Sequence, residues 1–166
     1  MTFYLKPIMK LFIIMLLVLS VSAQVLAEIK LASFTTDGCS SFPDGTLEHR
    51  ELWLSCCTAH DLAYWQGGTA EQRENADIAL ERCVSKVGEP AVAALMLAGV
   101  RVGGSPYWPT KFRWGYGWPF LRGYKALSDK EKLQVQLRLT EMKQTSKKKA
   151  SNKQTPKKQP SAEVSP

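Results

Sequence analysis

The sequence predicts an all-α fold: a disulfide-stapled antiparallel two-helix core with extra short helices and an irregular aromatic segment. Three observations carry this. Apolar residues such as Leu47, Leu52, Leu54, Leu62 and Trp65 recur at helical spacing, and a second helical stretch follows after only four residues. Helix-start signals stand at Thr69 with Gln72 and at Ser128 with Glu131. Four cysteines, Cys39, Cys56, Cys57 and Cys83, follow an N-terminal segment laid out for export, so two disulfides are expected.

Residues 1–27 read as a signal peptide. Lys6 and Lys10 precede the apolar run from Leu11 to Leu19, and small residues follow. That order of charged, apolar and small-residue regions marks a cleavable secretory signal. Cleavage fits after Val21-Ser22-Ala23 or after Val25-Leu26-Ala27, and we take the second. The competing reading is an uncleaved anchor, but the run is well short of the roughly 20 residues a spanning helix needs. The protein is therefore expected to be secreted or periplasmic. Of the formal charge of +7, Lys6 and Lys10 supply +2, and residues 143–166, with seven lysines against Glu163, supply +6. This leaves −1 for residues 28–142, a nearly neutral domain with a basic tail.

Residues 28–46 read as loop, punctuated by Gly38, Pro43 and Gly45. The first helix is expected over 47–65 and is stopped by Gln66-Gly67-Gly68-Thr69. The second runs over about 70–87 and ends at Gly88-Glu89-Pro90. Ala91 to Val100 reads as a short buried helix closed by Gly103-Gly104. Residues 105–124 are irregular and rich in glycine, proline and aromatics, completing a domain over 28–126. A C-terminal helix is expected over 127–142. Leu133, Val135, Leu137 and Leu139 alternate as in a strand, but the explicit cap and the helix-forming composition favour helix. Residues 143–166 are low-complexity and are expected to be disordered.

A four-residue connection makes the first two helices an antiparallel hairpin. Facing positions in a hairpin are centred on its turn. His60 and Asp77, Cys56 and Cys83, and Ala63 and Ala76 share nearly one centre, so a single register brings each pair together. Cys56 shares its face with His60, four residues on, and that face meets the second helix. Cys57 is turned about 100° away, on the face of Asp61. A vicinal Cys56–Cys57 bond would strain the backbone. The expected bridges are therefore Cys56–Cys83 and Cys39–Cys57, the second pinning the 37–45 loop beside Asp61.

That placement carries chemistry. A loop fixed beside a carboxylate can offer backbone carbonyls, and hard oxygen ligands select calcium. His60 can act as general base on water, oriented through its other ring nitrogen by Asp77. The metal would polarise a carbonyl and stabilise the oxyanion that develops. The expected reaction is metal-assisted ester hydrolysis.

These residues resemble the secreted phospholipase A2 family, whose signature Cys-Cys-x-x-His-Asp-x-Cys-Tyr is matched by Cys56-Cys57-Thr58-Ala59-His60-Asp61-Leu62-Ala63-Tyr64. Its second helix carries Cys-Asp with a cysteine six residues after the Asp, and here Ala76-Asp77 is followed by Cys83. The resemblance, over about residues 35–88, implies His60 as general base, Asp77 as its partner and Tyr64 as support for that pair. It implies a calcium ion held by Asp61 and the carbonyls of Gly38, Ser40 and Phe42, with the Ser40 amide as oxyanion donor. It implies hydrolysis of the position-2 ester of glycerophospholipids at a membrane or micelle surface. Two departures stand out. The family's cysteines at Ala63 and Ala76 are lost together, which leaves no odd thiol. Ser40, Ser41 and Phe42 stand where the family's calcium loop is glycine-rich, and non-glycine residues resist positive φ. The short turn is similar to that of compact bacterial or plant members.

An alternative reading is a non-catalytic relative that binds lipid or envelope. Isolated His49 reads as an ordinary surface or core residue, and Asp77 has a plainer partner in Arg73 at i−4. Zinc is disfavoured because a second Cys/His pair is missing. Tyr107, Trp108, Phe112, Trp114, Tyr116, Trp118, Phe120 and Tyr124 stand among Lys111, Arg113, Arg122 and Lys125. This segment either faces a membrane interface or packs over the hairpin. Nucleic acid is not expected as a partner of an exported protein.

Overall fold

The computed structural model describes residues 30–153, so the expected signal segment and residues 154–166 lie outside the described residues. The described residues contain four helices and no strand. They are α1 (Leu54–Gln66), α2 (Ala70–Lys86), α3 (Pro90–Gly103) and α4 (Asp129–Lys153). Two disulfides, Cys39–Cys57 and Cys56–Cys83, tie the segment before α1 to α1, and α1 to α2. This is the pairing that the two helix faces predict.

The first helix begins at Leu54, not at 47. Residues 47–53 form turns instead: the Thr46 and Leu52 amides donate to the His49 carbonyl, and the Trp53 amide to Asp44 O. Trp53 is the reason. Its ring is buried and its indole donates to the Pro43 carbonyl at 2.6 Å, which folds the chain back over Gly45. A Cβ at Gly45 would collide with the His49 carbonyl and the Leu52 amide. Leu47, counted toward the apolar stripe in the sequence, is 98% exposed.

The start of α2 follows its sequence signal, with Thr69 Oγ1 accepting from the Gln72 amide and Gln72 Oε1 accepting from the Thr69 amide. α2 packs against both α1 and α3. α3 is longer than expected and is not a buried helix: Ala93 and Met96 are buried, while Leu95 and Val102 are 61% and 76% exposed. One side packs on α2, and the rest lines a cavity or meets solvent.

The alternation in α4 resolves as helix, opened by Ser128 and Glu131 bonding to each other's amides at 2.8 and 3.4 Å. Val135 is its buried contact, and Leu133 and Leu137 are exposed. The helix does not stop at 142 but continues to Lys153, which corrects the expected disorder for residues 143–153. Lysines are good helix formers, cations near a helix C-terminus complement its dipole, and the first proline comes only at Pro156.

Two apolar clusters organise these elements. Trp53, Cys56, Cys57, Leu80, Val84, Ala93 and Met96 join α1, α2 and α3. Leu31, Trp65, Trp118 and Val135 join the end of α1 to the aromatic segment and α4. The last carbonyls of any helix lack intrahelical donors, and the aromatic segment supplies them here. The Gly115 amide donates to Tyr64 O, the Gly117 amide to Trp65 O and the Trp118 indole to Gln66 O. The Trp114 indole caps Gly68 O just beyond. The packing reading holds for part of this segment: Trp114 and Trp118 are buried against α1, while Tyr107, Trp108 and Phe120 are exposed.

Candidate functional site

His60 lies on the face of α1 that carries Cys56 one turn earlier, and the Cys56–Cys83 bridge fixes that face against α2. Asp77, on α2, is fully buried. Its Oδ1 lies 2.9 Å from His60 Nε2 and accepts from the Tyr64 hydroxyl at 2.7 Å. A carboxylate only accepts, so Nε2 carries the proton and Nδ1 is left as the acceptor. Arg73 Nε donates to the Tyr64 oxygen at 3.0 Å, which commits the tyrosine proton to Asp77. Burial pushes the Tyr64 hydroxyl far above its ordinary value, with the Asp77 charge acting the same way. Tyr64 is thus a fixed donor.

The second Asp77 oxygen is less expected. Oδ2 is buried and takes no aligned hydrogen bond, although Arg101 Nε lies 3.1 Å away and Arg73 Nε 3.8 Å away. The two cations offset the cost of burying the charge by proximity. Arg73 spends its other donors elsewhere, on Tyr124 Oη and on the carbonyls of Val100 and Arg101. Arg101 had a signal that was not used, as a lone charge in the apolar run of α3. Gly104 is a second missed residue: a Cβ there would overlap the Tyr64 hydroxyl.

Asp61 is one residue along α1, and the Cys39–Cys57 bridge brings the 37–44 loop to it. Thr36 Oγ1 donates to Asp61 Oδ2 at 2.6 Å. The loop wraps the Asp44 carboxylate, which accepts from the Cys39 amide at 2.8 Å and fills the space that a Cβ on Gly38 would need. Gly38 and Ser40 both adopt positive φ, at 76° and 56°. Ser40 therefore takes the left-handed conformation without being glycine; its hydroxyl donates to Asp37 Oδ1 at 2.9 Å, a local bond that offsets the strain.

His60, Asp61 and Tyr64 line one cavity of about 460 Å³ together with Gly38, Ser40 and Phe42. Its far wall is apolar, formed by Leu80 and by Leu95, Met96, Gly99 and Val100 of α3. No family model, curated protein or solved structure matches the chain. What the site can do is argued from its chemistry.

Burial pushes the Asp61 carboxyl up to about 6, against lowering by the Thr36 hydroxyl and His60. A desolvated carboxylate of this kind gains from an adjacent cation. No group of three or more His, Cys, Asp or Glu side chains suited to a metal occurs among the described residues. Gly38, Ser40 and Phe42 line the same cavity as Asp61.

Proposed function

We propose that the chain is a calcium-dependent hydrolase of the secreted phospholipase A2 kind, built on a disulfide-stapled antiparallel α1–α2 pair and cleaving the position-2 acyl ester of glycerophospholipids. The observation that carries this is the His60–Asp77 pair at the edge of a largely apolar cavity that also contains Asp61. His60 Nδ1 takes a proton from water as the water oxygen attacks the ester carbonyl, and Asp77 holds the ring in the required tautomer. Tyr64 and Arg73 keep Asp77 in place. As the tetrahedral intermediate collapses, the imidazolium returns the proton to the leaving alkoxide. Asp61 with the carbonyls of Gly38, Ser40 and Phe42 would hold calcium, which when bound supplies positive charge for the oxyanion. The apolar wall takes the acyl chain.

The surface at the cavity fits a lipid substrate. Leu95 and Phe112 line the cavity and are exposed, and Trp108 donates to the Val102 carbonyl on an equally exposed stretch. Two disulfides fit a secreted or periplasmic protein. No described helix is long and apolar enough to cross a membrane.

The test is fatty-acid release from mixed micelles with calcium and with chelator. Release that needs calcium and is lost in His60→Gln is expected; a fully active His60→Gln sinks the mechanism. One observation favours the non-catalytic reading, namely the Thr36 hydroxyl already on Asp61 Oδ2. Calorimetry showing no calcium binding at millimolar concentration, with liposome binding retained, would select it.

A further inference from the structure

Among the described residues, every side chain of α4 from Lys143 to Ser151 is exposed. Met142 is the last residue of α4 that lines a groove, against Leu54, Thr58 and Leu62 of α1. Beyond it the helix runs to Lys153, a projection of about 16 Å at 1.5 Å per residue. Lys143, Lys147, Lys148 and Lys149 are all exposed there. Their spacing puts cations around the whole helix and not along one stripe. Acids are missing between Glu141 and Glu163, so no carboxylate neutralises them within the segment, and Glu141 itself pairs with Arg138 at 3.0 Å. Lys143 and Lys147 repel at i,i+4. The Thr145 and Ser146 hydroxyls donate back to Glu141 O and Met142 O and make no outside contact of their own in doing so. An apolar face to bury is likewise missing.

We propose that this projecting helix is a cationic arm that docks the protein on an anionic lipid surface. The choice of lipid over other polyanions rests on the proposed function; the need for an anionic partner rests on charge alone. Residues 28–142 carry a net −1, so without the arm the domain has no long-range attraction to a negative surface. Each lysine at an anionic bilayer strengthens partition by about fivefold, so four give on the order of several hundredfold. The arm has no aromatic residue on which a base could stack, which disfavours single-stranded nucleic acid.

The experiment is co-sedimentation of the full chain with vesicles of phosphatidylcholine alone and of equimolar phosphatidylglycerol and phosphatidylcholine. The comparison variant is Lys143→Gln, Lys147→Gln, Lys148→Gln, Lys149→Gln, since glutamine keeps helix propensity. Wild type should bind the anionic vesicles at least about 100-fold better than the neutral ones, and the preference should collapse in high salt. The variant should lose most of that preference while hydrolysing a dispersed short-chain lecithin at the wild-type rate. Equal binding of wild type to both vesicles overturns the proposal, as does wild-type anionic binding by the variant. Tighter binding to duplex DNA than to anionic vesicles overturns it in favour of nucleic acid. If neither protein hydrolyses any lipid but the anionic preference behaves as stated, the arm stands and the hydrolase reading falls.

Discussion

Asp61 shows how a single side chain links stability to the site. Its folded carboxyl titrates at about 6, above the ordinary 3.8, because burial disfavours the charge. The folded state therefore holds this proton more tightly than the unfolded chain does. Stability is lost as pH rises between those two values, and the loss is complete above the upper one. The part-exposed carboxylate is screened by solvent, which brings the effect to about 1 kcal/mol. Asp61→Asn keeps an acceptor for Thr36 but has nothing to ionise. Urea denaturation followed from acid to neutral pH should show wild type losing stability relative to the variant by that amount. Parallel profiles would mean that burial does not act on Asp61 in this way.

Among the elements, the aromatic segment matters most for the site, because it completes the end of α1 just beyond Tyr64. Gly117 sits where a Cβ would lie 2.6 Å from both the Trp65 ring and the Trp65 carbonyl. The crowding includes backbone, which cannot rotate away. Gly117→Ala should therefore cost about 2 kcal/mol, at the level of overpacking a core. The readout is thermal unfolding, and an unchanged midpoint would show that the segment shifts without penalty. This is also the scale at which the sequence is least legible. The His60–Asp77 pair and both bridges follow from helix geometry, because positions on a helix have a fixed angular relation. The α2 and α4 caps follow from local hydrogen bonding between side chain and backbone. The start of α1 does not, because Trp53 is turned by a long-range contact to Pro43 that no periodicity encodes. Neither does the approach of Arg101 to Asp77, which depends on how α3 packs on α2.

For the molecule as a whole, two adjacent cysteines hold together what the site needs. Cys57 anchors the loop of Gly38 and Ser40, and Cys56 anchors the helix of Asp77. The bridges close sequence separations of 18 and 27 residues. Chain entropy gives about 3 and about 3.5 kcal/mol of stabilisation for loops of that size. Replacing Cys39 and Cys57 together by serine should lower stability by about 3 kcal/mol in urea and, on the proposed function, weaken calcium binding by calorimetry. A variant that keeps wild-type calcium affinity would show that the bridge serves stability only.

The placement of the tryptophans has an optical consequence. Trp53, Trp65, Trp114 and Trp118 are buried, and Trp108 alone of the chain's five is exposed, at 53%. Emission from the folded protein is therefore the sum of four shielded indoles and one wet one. Unfolding moves the four toward the red. Contact of the Trp108 surface with a bilayer, as the proposed function requires, would move only the fifth, toward the blue, and would remove its access to an aqueous quencher. Intrinsic fluorescence thus separates loss of fold from engagement of the surface near the cavity, without any attached label.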